Sequence, residues 1–103
     1  MRLLTTLCVI SLAAAGTAQA SQTLTDRDYI RAHQCLGLAL GSGESATALE
    51  TLVRENRQGR ANRVQNTARA MKTNAQRQMQ RATGEAREQL ARELAQDCAA
   101  LTA

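Results

Sequence analysis

Small and apolar residues recur every three or four positions through the C-terminal half of this chain, with a mean step of about 3.7 residues. This spacing is close to the period of an α-helix and predicts one continuous helical face. The chain contains no proline, which would interrupt such a helix. Gly84 leaves two alternatives open: one helix over about 60–100, or two helices with Thr83 as the cap of the second. The face consists of Val64, Ala68, Met71, Ala75, Met79, Ala82, Ala86, Leu90, Leu94, Cys98 and Leu101.

The apolar face changes character along its length. Its first half is built from alanine and methionine with one valine, and its second half is rich in leucine. A helix with few large apolar groups has little to bury and depends on tertiary contacts for its order. We therefore expect 84–101 to join the packed core and 57–83 to be held more loosely.

Two shorter helices are predicted before this segment. The first runs from about Asp26 to Leu40, because Thr25 is a suitable N-cap and Gly41-Ser42-Gly43 is a typical stop signal. The second begins near Ser42 or Ser45, and whether it ends at Gly59 or continues through it is open. The predicted fold is therefore all-α, a helical hairpin or bundle of three to four helices.

The N-terminal 20 residues have the three regions of a secretory signal peptide: a basic start at Arg2, a short apolar run and the small-residue site Ala18-Gln19-Ala20. The apolar run is shorter than a membrane-spanning helix requires. We expect cleavage after Ala20, a periplasmic or secreted location and no transmembrane segment after processing. Residues 21–103 then form a single helical domain.

Two cysteines, Cys35 and Cys98, remain after the predicted cleavage, because Cys8 leaves with the signal peptide. In an oxidising compartment they predict one intramolecular disulfide, with free or intermolecular thiols as the alternative. Closing a loop of this length stabilises a domain by about 4 kcal/mol in the chain-entropy description. That contribution is important here, because the only aromatic residue is Tyr29.

Positive charge is concentrated in 54–81, which holds eight basic residues against one acid, a net charge of +7. Such a segment is ordinarily a solvated helix face, but it can also bind an anionic envelope polymer or surface. A nucleic acid is disfavoured, since the segment has no aromatic side chain for base stacking. The candidate anion-binding residues are Arg54, Arg57, Arg60, Arg63, Arg69, Lys72, Arg77 and Arg81.

No catalytic chemistry is predicted. The chain has one histidine, no Cys-x-x-Cys pair and no glycine-rich phosphate loop. A metal site formed by His33, the two cysteines and Asp97 matches no structural zinc spacing, and oxidation would remove both thiolates. We predict no metal and no cofactor.

The leading hypothesis is a small exported helical protein that acts through contact with a protein partner or with copies of itself. Its predicted contact surface is the flexible face of Met71, Ala75 and Met79. The first alternative is an anionic-polymer binder that uses 54–81, and the second is a periplasmic stress chaperone that exposes the same Ala/Met face.

Overall fold

The computed structural model describes residues 23–103, which form helices without strands. The predicted all-α fold with one disulfide is thereby confirmed, whereas the predicted signal peptide lies outside the described residues. The helices are α1 (Asp26–Ser42), α2 (Thr47–Glu55), α3 (Asn62–Arg81), α4 (Gly84–Glu93) and α5 (Ala99–Thr102), and a π-helical turn, Leu94–Cys98, joins the last two.

Helix α1 begins where its capping residue predicts and ends at Ser42, two residues beyond the predicted Leu40. The Thr25 hydroxyl accepts a hydrogen bond from the Asp28 backbone N–H at 3.1 Å, which satisfies one of the free donors of the first turn. At the other end Gly43 adopts a left-handed conformation with φ 83°, and the Glu44 N–H reaches back to the Ala39 carbonyl oxygen. This is the hydrogen bonding of a glycine-terminated helix.

Helix α2 is shorter than the sequence suggests. It begins at Thr47, two residues after Ser45, and ends at Glu55. Gly59 lies beyond it in the loop to α3 with φ 85°, a conformation that glycine adopts at no steric cost. The open question about Gly59 is therefore resolved: the helix stops before it.

The centre of the fold is a close contact between the backbones of α1 and α3. A Cβ atom at Gly37 would overlap the carbonyl oxygen of Lys72, and one at Gly41 would lie 2.6 Å from the carbonyl oxygen of Gln76. Only glycine leaves room for this approach. A step of four residues on α1 matches a step of four on α3 in the same direction, so the two helices run parallel and α2 is the return between them.

The seam between α1 and α3 buries the small-residue face that the sequence identifies. The four residues of α3 that are fully buried are Val64, Ala68, Ala75 and Met79, with exposed fractions of 5%, 0%, 3% and 1%. By contrast, α4 has no buried residue. Leu90 and Leu94 are only partly buried against the core.

The expectation that 57–83 would be held more loosely than 84–101 is therefore wrong: α3 contributes four buried residues to the core, whereas 84–101 contributes Cys98, with three leucines packed partly against it. That expectation was based on the size of the apolar side chains. Close packing depends on the distance between surfaces, and alanine facing glycine brings more backbone atoms into contact than its own volume suggests.

A cluster of polar contacts joins the start of α1 to the loop between α2 and α3. The buried Asn56 side chain accepts a hydrogen bond from the Leu24 N–H at 2.9 Å and donates one to the Leu52 carbonyl at 3.0 Å. Arg60 donates to the Leu24 carbonyl at 2.6 Å and to the Asp26 carboxylate at 2.7 Å. Its guanidinium also lies 4.7 Å from the centre of the Tyr29 ring, a cation–π distance.

The chain leaves the helical conformation at three successive residues after α3. Ala82 and Thr83 are extended, and Gly84 has φ 57°. The two-helix alternative is thus the observed one. Thr83 occupies the N-cap position of α4, although its side chain makes no capping hydrogen bond.

The π-helical turn keeps the C-terminal apolar residues on one face. Ala86, Leu90, Leu94 and Cys98 are spaced by four, so each would drift by about 40° around a regular α-helix. The wider i→i+5 hydrogen bonding at 94–98 offsets this drift. Cys98 consequently meets Cys35 in the predicted disulfide, with a Cα–Cα distance of 5.7 Å and both residues buried.

Replacing Gly37 by alanine tests the seam. We expect Gly37→Ala to lower the free energy of unfolding by about 3 kcal/mol, because the added methyl group meets a helix backbone that cannot rotate away. Gly59→Ala is the matched control, because its methyl group meets nothing within 4 Å. Its expected loss of unfolding free energy is about 1 kcal/mol, which is the cost of placing alanine in a left-handed backbone conformation. Equal losses in urea unfolding would show that the seam is not tightly packed.

Amide hydrogen exchange should be slower in α3 than in α4, although the apolar side chains of α3 are mostly smaller. We expect the amides between Val64 and Met79 to exchange more slowly than those of α4, because one face of α3 is buried against α1 from Val64 to Met79 and α4 has no buried residue. Mass spectrometry of exchanged peptides measures this difference. Faster exchange in α3 than in α4 would contradict the observed packing.

Candidate anion-binding site

The eight basic residues of 54–81 do not form one surface in the folded chain. Arg60 is occupied by the contacts that join 24–26 to the loop, and its side chain is only 11% exposed. It therefore belongs to the framework of the fold. The remaining seven are distributed between a recess beside α2, the outer side of α3 and a groove between α3 and α4.

The recess lies between α1, α2 and α3 and has a volume of about 380 Å³. Arg54 comes from α2, Arg57 from the loop that follows it and Lys72 from α3. Among the described residues these three cations make no ion pair. The recess is lined by His33, Leu36, Glu50, Val53, Arg54, Arg57 and Lys72.

The backbone contact at Gly37 is what places Lys72 at the recess. Gly37 lies one helical turn after His33, and its close approach to Lys72 fixes α3 beside that turn of α1. Arg54 and Arg57 arrive from the opposite side because α2 returns antiparallel to α1. Cations that are 18 residues apart in the sequence thereby meet around one concavity.

His33 forms the buried wall of the recess, with an exposed fraction of 8%. Its Nδ1 atom lies 3.1 Å from the Tyr29 carbonyl oxygen, and its ring packs edge to face against the Tyr29 ring. Burial lowers the pKa of His33 below its ordinary value of 6.5, and the charges of Lys72, Arg57 and Arg69 lower it further, against the raising effect of the Tyr29 hydrogen bond. The imidazole is consequently neutral at pH 7.

The balance of charges in the recess favours the binding of an anion. Three cations line the recess with one carboxylate, Glu50, and the histidine adds no charge at neutral pH. Arg69 contributes to the positive potential at His33 from the next turn of α3. Charged side chains on the rim of a concave site act through a lower effective dielectric than on a flat surface, which strengthens their attraction for an anion.

The other predicted anion-binding residues are not part of the recess. Arg69 donates a hydrogen bond to the Asn66 carboxamide at 2.5 Å on the exposed side of α3, and Arg63 is exposed on the same helix. Arg77 and Arg81 line a separate groove between α3 and α4. The residues predicted as one basic segment therefore have four different surroundings.

The predicted partner-contact residues are largely internal. Ala75 and Met79 are buried in the seam, at 3% and 1% exposure, and Met71 is half-buried. A partner cannot reach Ala75 or Met79 in this conformation. The helical period that identifies an apolar face does not reveal whether the chain itself covers that face.

The recess also contains His33 and Glu50, which the sequence does not indicate as members of an anion-binding site. Neither stands in a motif, and both join the recess only because three helices converge. The signal that could have located the convergence is the Gly37-x-x-x-Gly41 spacing, which is typical of close helix approach.

Within 23–103 no group of three or more His, Cys, Asp or Glu side chains is close enough to hold a metal ion. Over the same range no helix has the length and apolar character needed to cross a bilayer.

Comparison with known proteins gives no relative: no family model, curated protein or solved structure matches this chain.

The buried His33 should make stability depend on pH. Because its folded pKa lies below 6.5, the unfolded chain binds more protons as the pH falls below that value, and the free energy of unfolding falls with it. We expect His33→Gln to flatten the stability profile between pH 6.5 and 5. An NMR titration of the imidazole that gives a pKa at or above 6.5 would contradict the described surroundings.

Proposed function

We propose that this protein is exported to the periplasm or the cell exterior and binds an anionic polymer of the cell envelope through the recess formed by Arg54, Arg57 and Lys72. The observation that carries the proposal is the convergence of three cations, none of which makes an ion pair within 23–103, on a concavity with a neutral, buried histidine wall. The proposed role is binding without catalysis.

The charge of α3 supports a polymeric ligand over a single small anion. The helix contains no acidic residue and five basic ones, so positive charge continues beyond the recess along its exposed side. Repeated anionic groups along a polymer can occupy several such positions at once, and the release of bound counterions then favours association.

The disulfide supports export. Disulfides persist in oxidising compartments and are rare in the reducing cytosol. The bond between Cys35 and Cys98 is consistent with the signal peptide that residues 1–20 suggest.

The protein-contact hypothesis is the less favoured proposal for a structural reason. The Ala/Met face on which it depended is mainly covered by α1. The chaperone alternative depends on the same face and would require the seam to open. Both hypotheses would therefore need a contact surface other than this face.

Charge-matched variants test the proposal. We expect Arg54→Gln/Arg57→Gln/Lys72→Gln to weaken binding of polyphosphate or polyglutamate by about 100-fold at low salt and to reduce the slope of log affinity against log salt by about two units. Arg63→Gln/Arg77→Gln/Arg81→Gln removes the same charge from other positions and should cost less than about 10-fold. Fluorescence anisotropy of labelled polymer measures both.

The pKa of His33, measured from its NMR resonance, distinguishes binding in the recess from a general effect of net charge. An anion bound in the recess neutralises part of the potential of Lys72 and Arg57, so we expect it to raise the His33 pKa. Equal loss of affinity in the two triple variants, with an unchanged His33 pKa, would refute the recess as the site. The absence of any polyanion binding at low salt would refute the function itself.

A further inference from the structure

The groove between the end of α3 and the start of α4 is a second concavity with different chemistry. Its volume is about 750 Å³, within the range of about 300–1,000 Å³ that small-molecule sites occupy. Polar groups and apolar groups contribute in similar measure to its walls. The lining residues are Asn74, Arg77, Gln78, Arg81, Ala82, Ala86, Gln89, Leu90 and Glu93.

Two arginines stand along one wall of this groove. Arg77 and Arg81 are one helical turn apart on α3, so their side chains are neighbours on the helix surface. Neither makes an ion pair with any residue of 23–103. Two adjacent guanidinium groups can hold one carboxylate or phosphate through several charge-assisted hydrogen bonds.

Apolar side chains also line the groove. Ala82 lies in the break after α3, and Ala86 and Leu90 follow on α4. Leu90 is only partly buried against the core. The acid of the groove, Glu93, is paired with Arg31 at 3.6 Å, so its charge is partly offset.

The geometry of the groove is held by contacts outside it. Arg87 donates a hydrogen bond of 2.6 Å from α4 to the Met79 carbonyl at the end of α3. The disulfide at Cys98 fixes the far end of the C-terminal segment to α1. These two contacts restrain α4 relative to the end of α3.

We propose that the α3–α4 groove binds a single-chain anionic amphiphile, with its acidic head group on Arg77 and Arg81 and its hydrocarbon chain along Ala82, Ala86 and Leu90. The two arginines of α3 complement the acidic head group of such a molecule, and the apolar side chains of the same groove complement its hydrocarbon chain. This site is separate from the recess and does not rest on polymer binding there.

Decanoate below its micellar concentration is the probe, with acetate as the head group alone and octyl glucoside as an uncharged chain. We expect decanoate to shift the amide resonances of α4 around Ala86 and Leu90, and to bind at least tenfold more tightly than either partial ligand. Arg77→Gln/Arg81→Gln should weaken decanoate at least tenfold. Arg54→Gln/Arg57→Gln should leave it within about twofold, because those residues lie in the recess.

A second variant tests the apolar wall without disturbing the fold. Ala86 is exposed, so Ala86→Glu should fold normally and reduce decanoate binding at least tenfold by placing a like charge beside the chain path. Ala100→Glu, at an exposed alanine outside the groove, should have no effect. The proposal is overturned if acetate or octyl glucoside binds as tightly as decanoate, if the Ala86 and Ala100 variants behave alike, or if decanoate does not bind.

Discussion

The approach of α1 to α3 at Gly37 and Gly41 is the contact on which the rest of the molecule depends. A domain with one aromatic residue cannot fill a wide core, and parallel helices at ordinary separation would leave space that alanine cannot occupy. Two glycines one turn apart remove that space. The side chains of Ala68, Ala75 and Met79 then suffice to complete a dry interface.

The parallel direction of the two helices has consequences for everything between them. It requires α2 to return to the start of α1, where Asn56 and Arg60 connect the loop to Leu24 and Asp26. It leaves α4 to lie across the outside, held by the disulfide, by Arg87 and by the Arg31 ion pairs. The chain thus combines a tight two-helix seam with a C-terminal segment fixed at a few points.

The surroundings of the basic residues also depend on how the helices pack. Arg60 resembles its basic neighbours in the sequence, but its guanidinium is enclosed by Asp26, the Leu24 carbonyl and Tyr29. Arg54, Arg57 and Lys72 make no ion pair with the part of the chain that the structure describes, and they line one recess with His33. Arg77 and Arg81 line a different concavity. One basic segment therefore supplies a framework residue, a polar recess and an amphipathic groove.

The sequence by itself determined the helical class, the first helix with its caps, and the cysteine pair. These follow from local rules: a hydroxyl before a helix, glycine after it, apolar residues at helical spacing, and two cysteines that remain once the predicted cleavage removes Cys8. The sequence leaves open whether the chain breaks at Gly84, since an isolated glycine is compatible with both outcomes.

Only the tertiary structure decided which apolar residues are central and which basic residues act together. Periodicity identifies an apolar face without identifying what covers it. The sequence therefore predicts Ala75 and Met79 to be a contact surface, whereas both are buried inside the fold. Burial by close backbone approach depends on two segments at once, here Gly37 with Lys72, and no local pattern contains both. The recess around His33 arises for the same physical reason: its charges converge through the packing of helices that are distant in the sequence.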